Sequence, residues 1–383
     1  MYRLVFTIGS LLILSSVTLA QVELPKPTGP FPVGTATYTW VDGSREEVAT
    51  NDPSDRREVI VQLWYPAQPA AGAAVVSYFP ELPAALEIMR TKFGARGEQM
   101  AELFAPLGRI QTHAFPNAPV ATRQSSYPVL LFSPGGDMSR HFYTVQAEEL
   151  ASHGYIVAVM SHAYSTFDLF PNDRLLTSHP RWNPARGASE EERDKHFEEL
   201  TNILSADASF VLMQLEQLNK KDTDGRFTGK LDFGKMAILG HSRGGKTVSR
   251  VLVTEPRVRA GIIYDNLPPM AERVSGYKQP TLMMRTSEWE EGDAAELNKL
   301  MEKSRSGGYV VTVEGSGHRN FSDAHLTSPD RFKSEIDARR ALQIINAYTL
   351  AFLEQQFTGK ASPLLEESAR TYPEAKLTVF GKK

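Results

Sequence analysis

The 383-residue chain contains no cysteine. That absence excludes disulfides, thiolate metal sites, a cysteine nucleophile and a cysteine-borne lipid anchor together. Excess positive charge is missing too: 42 Lys and Arg stand against 45 Asp and Glu, a formal charge of −3. Nucleic-acid binding needs clustered cations to neutralise phosphates, and this balance offers no such footprint. The N-terminal apolar run, Leu4 to Leu14, is short as well, less than a hydrocarbon core of about 30 Å requires. It follows a basic start, Met1-Tyr2-Arg3, and is closed by the small residues Ser15, Ser16, Thr18 and Ala20. This order predicts a signal peptide over residues 1–20, cleaved after Ala20, and a secreted or periplasmic protein. No basic stop-transfer cluster follows, only Gln21-Val-Glu-Leu-Pro25. Against these lacks, 41% of residues are hydrophobic and 23% charged, the composition of a globular core.

Residues 21–383 read as one α/β domain. Pro25, Pro27, Pro30 and Pro32 make an extended lead-in that cannot be helical. Arg57 to Tyr65 reads as a β-branched strand stopped by Pro66. After Tyr127, strands expected at Val129–Phe132, Ile156–Met160, Met236–Leu239, Ala260–Tyr264, Thr281–Met284 and Tyr309–Val313 alternate with helices. The helices are expected at Val145–Ser152, His196–Asn219, Thr247–Val253, Ala294–Ser304 and Glu335–Gln356. Repeated strand–helix units imply a mostly parallel central sheet with helices on both faces. Two stretches interrupt the pattern, a helical insertion at 79–115 and a polar segment at 167–193, and both are expected to act as lids beside a pocket.

The sharpest chemical signal is Gly240-His-Ser242-Arg-Gly244-Gly245, between a strand and a helix. A Gly-x-Ser-x-Gly there is a nucleophile elbow, so tight a turn that only small residues fit around the serine. A serine hydroxyl needs a positioned base, and only His318 and His325 follow the elbow. His318 lies in the small-residue loop Glu314-Gly-Ser-Gly-His318 just past a strand and is the expected base; His325 is expected at the surface. His241, His153 and His162 are read as structural. Asp265, ending an apolar strand directly after the elbow unit, is favoured as the acid that orients the base, with Glu288 and Asp293 as the alternatives. The oxyanion needs two backbone N–H donors, and Arg243 and Gly136 are the candidates, the latter in the loop Ser133-Pro-Gly-Gly136.

With these residues stand Thr28-Gly-Pro-Phe-Pro-Val-Gly34, Leu63-Trp-Tyr-Pro66, Tyr127-Pro-Val-Leu-Leu-Phe-Ser-Pro-Gly135, Leu150-Ala-Ser-His-Gly-Tyr-Ile-Val-Ala158 and Gly315-Ser-Gly-His-Arg-Asn-Phe-Ser-Asp323. In this order, across most of the chain, they resemble the platelet-activating-factor acetylhydrolase family, the secreted and type II lipid-esterase branch of the α/β-hydrolases. The resemblance implies a Ser242–Asp265–His318 triad, Gly136 and Arg243 amides as oxyanion donors, and hydrolysis of short acyl esters without metal or cofactor. It favours Asp265 over Glu288. The implied partner is a small-molecule ester or a lipid substrate, with peripheral contact to lipid surfaces as a corollary. The chain departs from the family pattern at Pro134, where His usually precedes the oxyanion glycine. Arg243 and Lys246 likewise replace apolar and small residues around the elbow. The rival readings are a polyester or cutin hydrolase or an amidase of the same fold, and a catalytically dead binding member.

Overall fold

A computed structural model describes residues 22–182, 184–185, 187–366 and 370–381; the expected signal peptide lies outside them. The strands are β1 Val33–Glu46, β2 Arg56–Pro66, β3 Ala114–Pro116, β4 Tyr127–Ser133, β5 Ile156–His162, β6 Asp168–Phe170, β7 Arg174–Leu176, β8 Leu231–His241, β9 Ala260–Tyr264, β10 Thr281–Thr286, β11 Gly308–Val313 and β12 Ala375–Phe380. The helices are α1 Leu82–Lys92, α2 Gly94–Phe104, α3 Thr144–Ser152, α4 Glu190–Lys220, α5 Arg243–Thr254, α6 Met270–Ser275, α7 Glu291–Lys303, α8 Ala324–Thr327 and α9 Ala338–Thr358.

Ten strands form one sheet in the order β12-β11-β10-β9-β8-β4-β5-β2-β1-β3. From β11 to β5 every pairing is parallel, β12–β11, β2–β5 and β1–β2 are antiparallel, and the edge strand β3 lies parallel to β1. The apolar strands explain the layering, because successive side chains point to opposite faces. Val129 and Leu131 of β4 pack with Val211 and Leu215 of α4 and Val248 of α5. Leu130 and Phe132 pack on the other face with Leu150 of α3 and Ile344 and Phe352 of α9. The mostly parallel sheet with helices on both faces is thus as the alternation predicts.

The differences lie at the edges. β1 and β12 were not expected. β1 shows an alternating exposed face and a register break between Asp42 and Glu46, so it carries none of the continuous apolar signal of a buried strand. The insertion at 79–115 is helical as expected: α1 and α2 bury Leu82, Ala85, Met89 and Ala101 together with Phe167 and Leu175. The segment at 167–193 is less polar in effect than in composition. It folds into the β6–β7 hairpin and buries Leu176, Trp182 and Asp168, the last held by Arg140, Ser139 and Ser161. No helix among the described residues is long and apolar enough to cross a membrane.

Candidate active site

β8 ends at His241 and α5 begins at Arg243, so Ser242 alone makes the turn. Its backbone sits at φ 53° and ψ −120°, a conformation that L-residues rarely adopt. Two glycines make this tolerable. A Cβ on Gly240 would strike the Gly244 carbonyl, and one on Gly244 would strike the Ser133 carbonyl at the end of β4. Hydrogen bonds then hold the turn: Ser242 N–H donates to Tyr264 O at 2.9 Å and Gly245 N–H to Ser242 O at 2.8 Å. This strain presents the hydroxyl at the edge of the sheet, the geometry the elbow motif calls for.

Asp265 follows β9 directly, also with a positive φ of 47°. Its Oδ2 accepts from His318 Nδ1 at 2.5 Å, while Oδ1 accepts from Thr286 N–H at 3.0 Å and Trp289 Nε1–H at 2.7 Å. Burial pushes this carboxyl up, but the His318 hydrogen bond and the Thr286 amide outweigh it, and the pKa ends below the usual carboxylate range. A carboxylate satisfied on both oxygens fixes the imidazole with Nδ1 protonated and leaves Nε2 as the basic atom. His318 itself is 48% exposed while Asp265 is 5% exposed, so the imidazole faces the solvent rim and the carboxylate lies behind it. The alternative acids Glu288 and Asp293 are both exposed, and neither bonds His318. Trp289, between them, is the residue of that loop that reaches Asp265.

His318 is also tied to the elbow through its backbone. His241 Nε2–H donates to the His318 carbonyl at 2.9 Å, and the two rings lie 4.6 Å apart. Burial is the main cause that pulls the His241 pKa down, to about 3, and the neighbouring His318 adds to it; the ring is neutral at neutral pH. Its Nδ1 therefore accepts from Tyr143 O–H at 2.9 Å, and Tyr143 Oη in turn accepts the Gly135 N–H at 2.8 Å. One hydrogen-bonded line thus joins the loop after β4 to the loop after β11. Among the described residues no hydrogen bond joins Ser242 Oγ to His318, a contact that commonly tightens only once substrate is seated.

In the loop after β4, the Gly136 N–H has no acceptor among the described residues, and Arg243, as first residue of α5, has no intrahelical acceptor for its own. The Arg243 side chain folds back over Gly136, so closely that a Cβ there would strike the guanidinium. Its Nη1 donates to Ser165 O and Oγ and to Ser178 Oγ at 3.2–3.5 Å. Lys246 turns the other way, its Nζ 5.3 Å from the Phe197 ring centroid on α4.

A second Ser–His–Asp set escapes a reading of local motifs. Ser133 O–H donates to His162 Nε2 at 3.0 Å, and His162 Nδ1–H donates to Asp207 at 2.8 Å. Arg57 clamps Asp207 through Nε and Nη2 and Glu47 through Nη1. All of it is buried. His325, expected at the surface, is buried instead: the short α8 tucks it inward, 5.9 Å from the ring of Phe332. No cluster of three or more metal-ligating side chains occurs among the described residues.

The sequence profile of the family described as platelet-activating factor acetylhydrolase, isoform II, matches residues 16–362. The chain is 27% identical over 362 residues to the platelet-activating factor acetylhydrolase of Cavia porcellus, covering 88% of this chain and 79% of that protein. It is 25% identical over 396 residues to a probable 1-alkyl-2-acetylglycerophosphocholine esterase of Arthroderma benhamiae, covering 92% of each. In fold, it is similar to a ferulic acid esterase from Streptomyces cinnamoneus, with a TM-score of 0.74 at 24% identity over 94% of this chain and 99% of the other. That likeness makes the fold an α/β-hydrolase fold.

Proposed function

The chain belongs to the platelet-activating factor acetylhydrolase, isoform II, family and is a carboxylic ester hydrolase, and we propose that Ser242, His318 and Asp265 carry its chemistry. Ser242 Oγ attacks the ester carbonyl carbon while its proton passes to His318 Nε2. Asp265 holds the Nδ1–H and balances the imidazolium. The Gly136 and Arg243 amides bind the oxyanion, each donor worth about 10²–10³ in rate. Collapse expels the alcohol, which takes the proton from His318, and water activated by the same imidazole releases the acid. The proposed substrates are short-acyl esters, including the acetyl ester of phospholipids like those in the relatives' names. The insertions at 79–115 and 167–193 shape the acyl and alcohol pockets in this reading, and the leader over residues 1–20 sends the enzyme outside the cytoplasm.

The observation that supports the proposal is the strained Ser242, directly after the His241 that tethers a histidine held by a buried carboxylate. A fluorophosphonate probe should label Ser242, and Ser242→Ala should abolish labelling and lower kcat on 4-nitrophenyl acetate by up to about 10⁶-fold. Hydrolysis undiminished in that variant would sink the assignment.

A further inference from the structure

A cavity of ≈ 790 Å³ opens beside this site. Asp137, directly after Gly136, and Arg319, directly after His318, form its catalytic end. Part of its wall is apolar, made by Met100 and Phe104 of α2 with Phe142 and Phe167; Phe104 stacks on Phe167 at 4.8 Å. The charge on that wall is one-sided. Arg96, Arg319 and Arg331 line it, against the single carboxylate of Asp137. Arg319 and Arg331 lie over the Phe332 ring at 4.8 and 5.2 Å, and neither has a carboxylate within ion-pair distance among the described residues. Behind the wall, Arg243 bonds only neutral oxygens, one of them the hydroxyl of Ser178, which also lines the cavity. Elsewhere several guanidinia, those of Arg57, Arg140, Arg250, Arg257 and Arg340, each hold a carboxylate, while others such as Arg123 and Arg339 bond backbone carbonyls.

Cations held against an aromatic face in a half-enclosed space keep their fork of donors open to an incoming anion. We infer that this cavity is an anion-accepting substrate subsite: the preferred esters carry an apolar arm and a net negative oxyanion group, phosphate, sulfonate or carboxylate, bound by Arg319 and Arg331. The inference rests on the esterase reading above and deepens it, since both arginines act on choice of substrate and neither touches the reacting carbonyl. An anion held by either gives it a charge-assisted hydrogen-bond partner where it has no carboxylate.

The test compares KM for 4-acetoxybenzenesulfonate with KM for 4-acetoxybenzenesulfonamide, a neutral analogue of like size. A second arm compares a short-chain 2-acetyl glycerolipid bearing a bare phosphate with its phosphocholine counterpart, both kept below micelle formation. The anionic member should show at least a tenfold lower KM in one arm, and the arm that discriminates identifies whether an aryl or a lipid body carries the anion. The preference should shrink as NaCl rises. In the Arg319→Gln/Arg331→Gln double variant the ratio should fall toward one, whereas Arg56→Gln, half-buried at the start of β2 and outside the cavity, should keep it. Equal KM values in both arms, or a preference that survives the double variant, would overturn the subsite. Failure to hydrolyse any of the four esters would instead remove the esterase reading itself.

Discussion

An aspartate-held histidine stands with a serine of interest at two places in the molecule, and the proposed reaction assigns chemistry to only one of them. In both sets an aspartate accepts the Nδ1–H of a histidine, at 2.5 Å for Asp265–His318 and 2.8 Å for Asp207–His162. In the buried set the serine even donates to the free imidazole nitrogen, at 3.0 Å. That set is more complete as a network and useless as a nucleophile. Ser133 ends a regular strand, unstrained and fully buried, and Arg57 locks its aspartate into an ion pair. Ser242 by contrast sits at a positive φ, and the imidazole proposed to serve it is half in solvent. Bonding order alone therefore does not make a catalytic site; access and a strained turn do. The buried set has a plausible mechanical use nonetheless, since it anchors the last residue of β4, from which the loop bearing Gly136 departs.

Substitutions at the two aspartates should separate the sets most widely. Asp265→Asn removes the charge that orients His318, and kcat on a neutral aryl acetate should fall about 10⁴-fold. Urea unfolding should move less than in the Asp207 variant, because the His318 partner is half-exposed and stays hydrated when the charge is lost. Asp207→Asn leaves Arg57 short of a counter-ion in the interior, and should cost about 3–5 kcal/mol of stability. Activity per folded molecule should survive that change. Reversal of the two outcomes, with Asp207→Asn killing kcat in fully folded protein, would make the buried set part of the reaction.

Acidification reads both regions at once. His162 and His241 are pulled down in pKa, by burial first of all, and His241 reaches about 3. Their unfolded-state pKa lies near 6.5, so the unfolded chain takes up protons that the folded chain refuses. The sign follows: their contribution is intact above about pH 6.5 and is lost as pH falls toward the folded values, at up to about 1.4 kcal/mol per pH unit for each ring. Asp265, with its lowered pKa, adds to the loss below about pH 4. Glu148 and Asp323, whose pKa burial raises, act the other way, so the check is a difference: the pH 7 to pH 4 slope should flatten in the His162→Gln and His241→Gln variants, and slopes unchanged in both would contradict neutral buried rings.

How much of this was legible beforehand depends on sequence distance. The elbow was legible because its constraint is local, two glycines within two residues of Ser242. So were the parallel core strands, whose unbroken apolar runs announce burial on both faces, and the strand ends that carry Asp265 and His318. Tyr143 was not, since it gains its role from His241, 98 positions away. Asp207 sits mid-helix in a run that reads only as amphipathic, and Arg57 reads as one more strand residue; they meet across 150 positions. His325 was misread because a histidine in a polar stretch carries no mark of the Phe332 ring against which α8 folds it.

The smallest effect is the most discriminating about what Ser133 does. Ser133→Ala deletes one hydroxyl and leaves His162 Nε2 as an unpaired acceptor in a dry interior, which should cost about 1 kcal/mol. A cavity of one oxygen adds little. If the buried set serves only to hold β4, kcat should drop less than tenfold, and the drop should be matched by weaker labelling of Ser242 with fluorophosphonate, because both depend on where Gly136 is carried. A fall in kcat with labelling unchanged would mean that Ser133 acts after the acyl-enzyme forms, and the division between a working set and a holding set would fail at its weakest joint.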